Sequence, residues 1–67
     1  IMFHIGQLVI VKSVGENYYL GIILNNLLYL NRFEDAFYQV YLIHTAEDVT
    51  VPAEFIMPLP PVSKIEP

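Results

Sequence analysis

Two histidines, two adjacent acidic pairs and five tyrosines are the side chains in this 67-residue sequence whose types and spacing could support chemistry. Imidazole titrates near neutrality and is a common metal ligand, so His4 and His44 are the first candidates for proton transfer or metal binding. Either role needs carboxylates gathered around the ring, and near His44 only Glu47 and Asp48 qualify. A histidine that finishes a strand beside an acidic turn more commonly makes a local hydrogen bond. The pairs Glu34-Asp35 and Glu47-Asp48 are the remaining carboxylates close in sequence. General acid–base work needs a pocket that drives two carboxyl pKa values apart, and calcium needs several oxygens at close loop spacing. Adjacent carboxylates in polar turns supply neither. They read as solvated turns, with a patch for a basic partner as the minor option. The sequence therefore predicts no enzyme, no metal site, no cofactor and no small-molecule substrate.

The tyrosines Tyr18, Tyr19, Tyr29, Tyr38 and Tyr41 are a different kind of candidate. Alternate tyrosines in strands pack cores and rims, but they also line grooves that hold proline-rich segments, and Tyr is enriched at interfaces. The segment Pro58-Leu59-Pro60-Pro61 is either a ligand for such a groove on a neighbouring subunit or a plain linker.

Composition explains why an interface is expected at all. Hydrophobic residues make up 55% of the chain and charged residues only 15%, whereas soluble domains average ~25% charged. A domain this small buries proportionally little surface. Some of Phe3, Tyr18, Tyr19, Leu27, Leu28, Tyr29 and Leu30 are therefore expected on a surface that another chain covers. The partner is a protein, or a second copy in a homo-oligomer. The net charge of −4, with Lys12, Arg32 and Lys64 scattered, argues against nucleic acid, which requires clustered cations. The apolar run between Glu16 and Arg32 is broken by Gly21, Asn25 and Asn26, which argues against a membrane helix. With no cysteine, nothing marks an oxidising compartment. An intracellular or virion setting is the expectation.

The elements that must position these residues are short strands. Residues 7–12 form a β-branched run, and residues 18–24 alternate around a mid-strand glycine, Gly21, which marks a bend or a close approach. Between them, Gly15 and Asn17 can adopt the positive φ that a reversal needs. Asn25-Asn26 suits a second tight reversal. Residues 27–36 leave three options open: a hairpin extension, a protruding loop with Leu and Tyr contacts, or a short helix. Residues 37–44, Phe-Tyr-Gln-Val-Tyr-Leu-Ile-His, are apolar almost throughout and read as a central strand covered on both faces. Residues 45–48 form a polar connection and 49–51 a short strand. Residues 52–55 suit one tight helical turn entered through a proline, and 56–59 an edge strand. A single domain over residues 1–59 and an extended proline-rich tail over 60–67 follow.

This order resembles the Tudor-like members of the Src-homology-3-like barrels. The residues that carry the likeness are Gly6-Gln7-Leu8-Val9, Tyr18-Tyr19-Leu20-Gly21-Ile22-Ile23, Tyr38-Gln39-Val40-Tyr41-Leu42-Ile43 and Phe55-Ile56-Met57-Pro58-Leu59-Pro60. The resemblance implies an all-β, five-stranded small barrel. It also implies a possible aromatic cage for a basic or methylated peptide tail, built from Tyr18, Tyr19 and Tyr41 with Glu47 or Asp48. The family's Ile-Asp-Tyr-Gly-Asn segment reads Ile43-His44-Thr45-Ala46-Glu47 here. Residues 38–43 and 49–55 are also similar in style to short accessory proteins of tailed phages, which implies a virion or assembly component. The expected function is a non-catalytic structural or assembly module that docks onto protein. Its expected contacts are Tyr18, Tyr19, Leu27, Leu28, Tyr29, Leu30, Phe33, Tyr41, Pro60 and Pro61.

Overall fold

A computed structural model describes residues 3–27 and 37–60. The described residues are all-β apart from one short 3₁₀ turn. It forms a single antiparallel sheet from β1 (Leu8–Lys12), β2 (Tyr18–Leu27), β3 (Phe37–Leu42), β4 (Glu47–Pro52) and β5 (Ile56–Pro58), in the spatial order β4-β3-β2-β1-β5. The expected central strand over residues 37–44 is corrected on three counts. The centre of the sheet is the ten-residue β2, and β3 stops at Leu42. Nor is β3 covered on both faces. Tyr38, Val40 and Leu42 are buried, whereas Gln39 and Tyr41 are half-buried and Phe37 is exposed. An apolar run with few polar breaks does not by itself distinguish a strand buried on both sides from one whose second face is also apolar.

The connection between the two edge strands shapes the sheet. In a flat sheet, β4 and β5 would lie about 19 Å apart, four spacings of ~4.8 Å. Only the 3₁₀ turn Ala53–Phe55 joins Pro52 to Ile56, and that length of chain reaches at most about 14 Å. The sheet must therefore curl, bringing its edges together around one buried face. The strand pairing does not carry that curl to closure, because β4 pairs with β3 and β5 with β1. The barrel of the sequence reading is thus an open, curled sheet.

The concave face is the core. Val9 and Val11 of β1, Ile23 of β2, Tyr38, Val40 and Leu42 of β3, Val51 of β4 and Ile56 of β5 are all buried there. Cross-strand partners share a face, and the pairs Val11↔Ile56, Val11↔Tyr19, Ile23↔Val40 and Tyr38↔Val51 make this layer continuous across all five strands. Phe3, which composition placed among the candidates for surface exposure, instead closes one end of the core at 6% exposure. Its ring packs edge-on against Tyr38 with centroids 5.4 Å apart. Its backbone N–H donates to the Tyr38 hydroxyl at 3.3 Å. The chain reaches this position by turning at Gly6, whose φ is +90°, and the Gly6 N–H donates to the Ile23 carbonyl at 2.7 Å.

Asn25 and Asn26 do not reverse the chain. β2 runs on to Leu27, and a bulge between Ile23 and Asn25 shifts its register against β3. One extra residue in β2 exchanges the two faces beyond that point. Asn26 then lies opposite Tyr38 on the core side, and Leu27 opposite Phe37 on the outer side. The Asn25 side chain accepts the Asn26 backbone N–H at 2.8 Å, and Asn26 Oδ1 is buried with no hydrogen-bond partner among the described residues. The Asn pair therefore supplies a local turn of hydrogen bonding without a turn of the chain. Residues 28–36 lie outside the described residues, and with them the remainder of the three options for that segment.

The first turn is also solved differently from the expectation. Glu16, not Gly15 or Asn17, takes the left-handed conformation, at φ 67°. Its N–H donates to the Ser13 carbonyl at 3.1 Å, and the Ser13 N–H donates to the Asn17 carbonyl at 2.8 Å, so a tight turn is followed by a single left-handed residue. A glutamate there carries a Cβ penalty that glycine lacks. Glu16→Gly should therefore raise stability by about 0.5–1 kcal/mol, read as a higher urea midpoint with an unchanged slope. A lower midpoint would show that the Glu16 side chain contributes more than its backbone strain costs. The second turn, after β3, likewise ends on a left-handed residue, Ala46 at φ 58°, whose N–H donates to the Leu42 carbonyl at 2.8 Å. Ile43 and His44 thus belong to a turn, and Glu47 and Asp48, expected in the connection, open β4.

Candidate functional site

Because side chains alternate along a strand, the residues between the core positions form a second, convex face. In this protein that face is also apolar. Leu8 of β1 pairs with Ile22 of β2, Ile22 with Tyr41 of β3, and Tyr41 with Asp48 of β4. One turn of the pleat further on, Met57 of β5 pairs with Ile10, and Ile10 with Leu20. The Ile43 N–H donates to the Leu20 carbonyl at 3.0 Å, which extends this second row to the β3–β4 turn. Lys12 pairs with Tyr18 beyond it. Leu8, Leu20, Met57 and Ile43 are each 38–40% exposed and Tyr18 57%, while Ile10, Ile22 and Tyr41 are half-buried among them. Polar residues bound the patch on one side, where Asn25 pairs with Gln39 and Gln39 with Thr50.

At one end of the sheet Tyr18, Tyr19, Leu20, Ile43 and His44 line an open, mainly apolar depression of about 420 Å³, with Tyr19, opposite Val11, also packed against the core. It lies where the start of β2 meets the turn after β3. The tyrosines expected to act together are not all brought together here. Tyr18 and Tyr19 line the depression, whereas Tyr41 lies two rows away, opposite Ile22. Glu47 and Asp48 are exposed at the start of β4 and are not among the lining residues. Among the described residues no group of three or more His, Cys, Asp or Glu is placed to hold a metal ion, so His44 sits in the depression without a set of carboxylate partners.

The other expected contact residues are placed as follows. Leu27 is half-buried at the end of β2, opposite the exposed Phe37. Pro60 is exposed beyond the end of β5. Leu28, Tyr29, Leu30, Phe33 and Pro61 lie outside the described residues. Sequence reasoning did not single out Leu8, Ile10, Leu20, Ile22, Ile43 and Met57, the exposed or half-buried members of this face. The signal was present: residues 8–11 and 18–24 are apolar at both alternating positions, and a sheet with one core can bury only one of the two sets. No described helix covers the second set, and none is long and apolar enough to cross a membrane. Compared with known protein families, with curated proteins and with solved structures, the chain matches none.

Proposed function

We propose that this chain is a non-catalytic docking module whose convex sheet face, Leu8, Ile10, Leu20, Ile22, Tyr41 and Met57, binds protein within a larger assembly. The observation that supports the reading is the two-sided apolar character of β1 and β2. One set of residues fills the core, and the other forms a continuous layer that no other element covers among the described residues. Large contiguous apolar patches on small proteins mark interaction sites. The curled sheet, with its short 3₁₀ connection between the edge strands, also fits the proposed Src-homology-3-like architecture, a scaffold that leaves such a face available.

A photo-crosslinking amino acid in place of Leu20, introduced into the protein in its native cellular setting, tests the reading. One product of defined mass is expected, and it should disappear when Leu8→Glu and Met57→Glu are added. The same probe in place of the exposed Glu54 should give none. Absence of any product from position 20 rejects the docking reading.

A second reading, capture of a basic or methylated peptide tail, draws its support from Tyr18 and Tyr19 in the depression, since aromatic faces attract such cations. It loses strength because Tyr41 and the acidic residues are placed elsewhere. Titration with trimethyl-lysine and unmodified basic peptides decides it, and no binding to either removes it.

A further inference from the structure

We infer that the outer edge of β4 is a docking site that takes an extended, lysine- or arginine-bearing segment of another protein as a sixth strand of the sheet. The site is an edge and not the convex face, so it goes beyond the docking reading above and does not depend on it.

The hydrogen-bond phase of the sheet shows which edge is open. Pro52 has no N–H, so Phe37↔Pro52 cannot be a mutually hydrogen-bonded pair. Bonded pairs alternate along an antiparallel ladder, and β4 runs against β3 without a register shift. The bonded pairs are therefore Tyr38↔Val51, Val40↔Val49 and Leu42↔Glu47. Asp48 and Thr50 turn their N–H and C=O groups the other way. β4 is the last strand of the sheet on that side, and β5 does not lie along it. Both residues are exposed, and among the described residues their backbone donors and acceptors have no partner.

The opposite edge is closed to such pairing. In β5, Pro58 lies opposite Val9, so by the same reasoning Met57 is the residue bonded to Ile10. Ile56 and Pro58 then face outward. Pro58 has no N–H to give, and the Ile56 N–H already donates to the Ala53 carbonyl. Short strands and prolines are common protections of a sheet edge, and the three-residue β5 has both. The six-residue β4 carries its proline only at its last position.

Charge selects the occupant. Glu47 and Asp48 stand exposed at the start of β4, on opposite faces of the pleat. An added strand places one residue beside each, so two adjacent cations match both acids. Next come the half-buried Val49, packed against the core, and the exposed Thr50, which suit an apolar and a β-branched polar neighbour. β4 holds no lysine or arginine, so the same edge of a second copy would leave both acids unneutralised. Acids that deter a second copy attract a basic strand. Main-chain bonds supply the affinity, and these side-chain positions choose the partner.

The capped peptide Thr-Val-Thr-Val-Lys-Lys, written antiparallel to residues 47–52, tests the inference by amide NMR of the full chain at low salt. In the free protein the amides of Asp48 and Thr50 should exchange quickly, and those of Glu47, Val49 and Val51 slowly. With peptide at about ten times its Kd, exchange at Asp48 and Thr50 should slow by about tenfold. Glu47→Lys and Asp48→Lys should each weaken binding about fivefold, and the two together should switch the preference to the same peptide ending in Glu-Glu. Thr50→Pro removes an outward N–H and no bond to β3, so it should abolish binding with the circular dichroism spectrum unchanged. The charge exchange carries the test where Thr50→Pro does not fold. Slow exchange at Asp48 and Thr50 before peptide is added overturns the inference, because the edge is then already occupied. So does an absence of binding at millimolar peptide, or an equal response of the wild type to the Glu-Glu peptide. Shifts confined to Tyr18 and Tyr19 also overturn it, and they favour the depression as the site for basic peptides.

Discussion

Gly21→Ala is expected to destabilise the fold by about 3 kcal/mol, although it adds a single methyl group. A Cβ at this position would lie 2.5 Å from Val40 Cγ1 and 3.2 Å from the Tyr41 carbonyl oxygen. Neither neighbour can yield cheaply. Val40 is a completely buried β-branched residue, and the carbonyl belongs to the backbone of β3. Replacing glycine by alanine normally stabilises a chain by ~0.4–1 kcal/mol through the unfolded state, so the sign of the result is decided by the clash. A small domain of this size holds only about 3–5 kcal/mol in total, which leaves Gly21→Ala marginal and Gly21→Val unfolded. The clash with Val40 can be isolated. Val40→Ala removes the offending methyl groups, so the double variant Gly21→Ala/Val40→Ala should be more stable than the sum of the single effects, measured by denaturant titration as a coupling of at least ~1 kcal/mol. Simple additivity would place the need for glycine elsewhere.

Tyr38→Ala is the other large effect, expected to cost about 3–5 kcal/mol and so to leave little folded protein. Tyr38 is 1% exposed and lies opposite Val51 on one side and Asn26 on the other, which makes it the largest side chain in the centre of the core. It also holds the N-terminal segment, through the edge-on contact with Phe3 and the hydroxyl that accepts the Phe3 N–H. Tyr38→Phe separates these roles. It keeps the ring and loses a 3.3 Å hydrogen bond, so a cost of only about 0.5–1 kcal/mol is expected. Amide exchange should then show faster exchange at Phe3, with the amides of β1 to β4 scarcely affected. A loss from Tyr38→Phe as large as that from Tyr38→Ala would mean that the hydroxyl, not the ring, organises this end of the core.

Both effects arise in β2 and β3, and both bear indirectly on the convex face proposed for docking. Gly21 lets β3 lie close enough to β2 for Ile22 and Tyr41 to be neighbours on the convex side. Tyr38 and Phe3 fill the concave side beneath. A change that loosens the core should therefore weaken docking together with stability. Leu20→Glu, on the surface, should weaken docking alone.

The elements themselves were legible in the amino-acid order because each has a local physical cause. β-Branched runs with alternating neighbours gave β1 and β2, the proline before residues 53–55 gave the 3₁₀ turn, and a glycine inside an apolar run marked the close approach at Gly21. Local chemistry also misled where a different local solution existed. Asn25 and Asn26 have turn propensity, but their side chains answer the backbone's hydrogen-bonding need inside a bulged strand. Glu16 takes a strained angle that Gly15 was free to take, because the length of the turn decides which position must be left-handed.

The excess of apolar residues over available interior was likewise a property of the sequence alone, and from it came the expectation of a covered surface. Which apolar residues face outward was decided only by the tertiary structure. Both alternating sets in β1 and β2 are apolar, so period-two patterning cannot say which set turns inward. That choice depends on the direction in which the sheet curls and on the short link between β4 and β5, both of which are long-range. Phe3 shows the same dependence. Its burial rests on Tyr38, thirty-five residues away, and nothing in the sequence around Phe3 points to that partner.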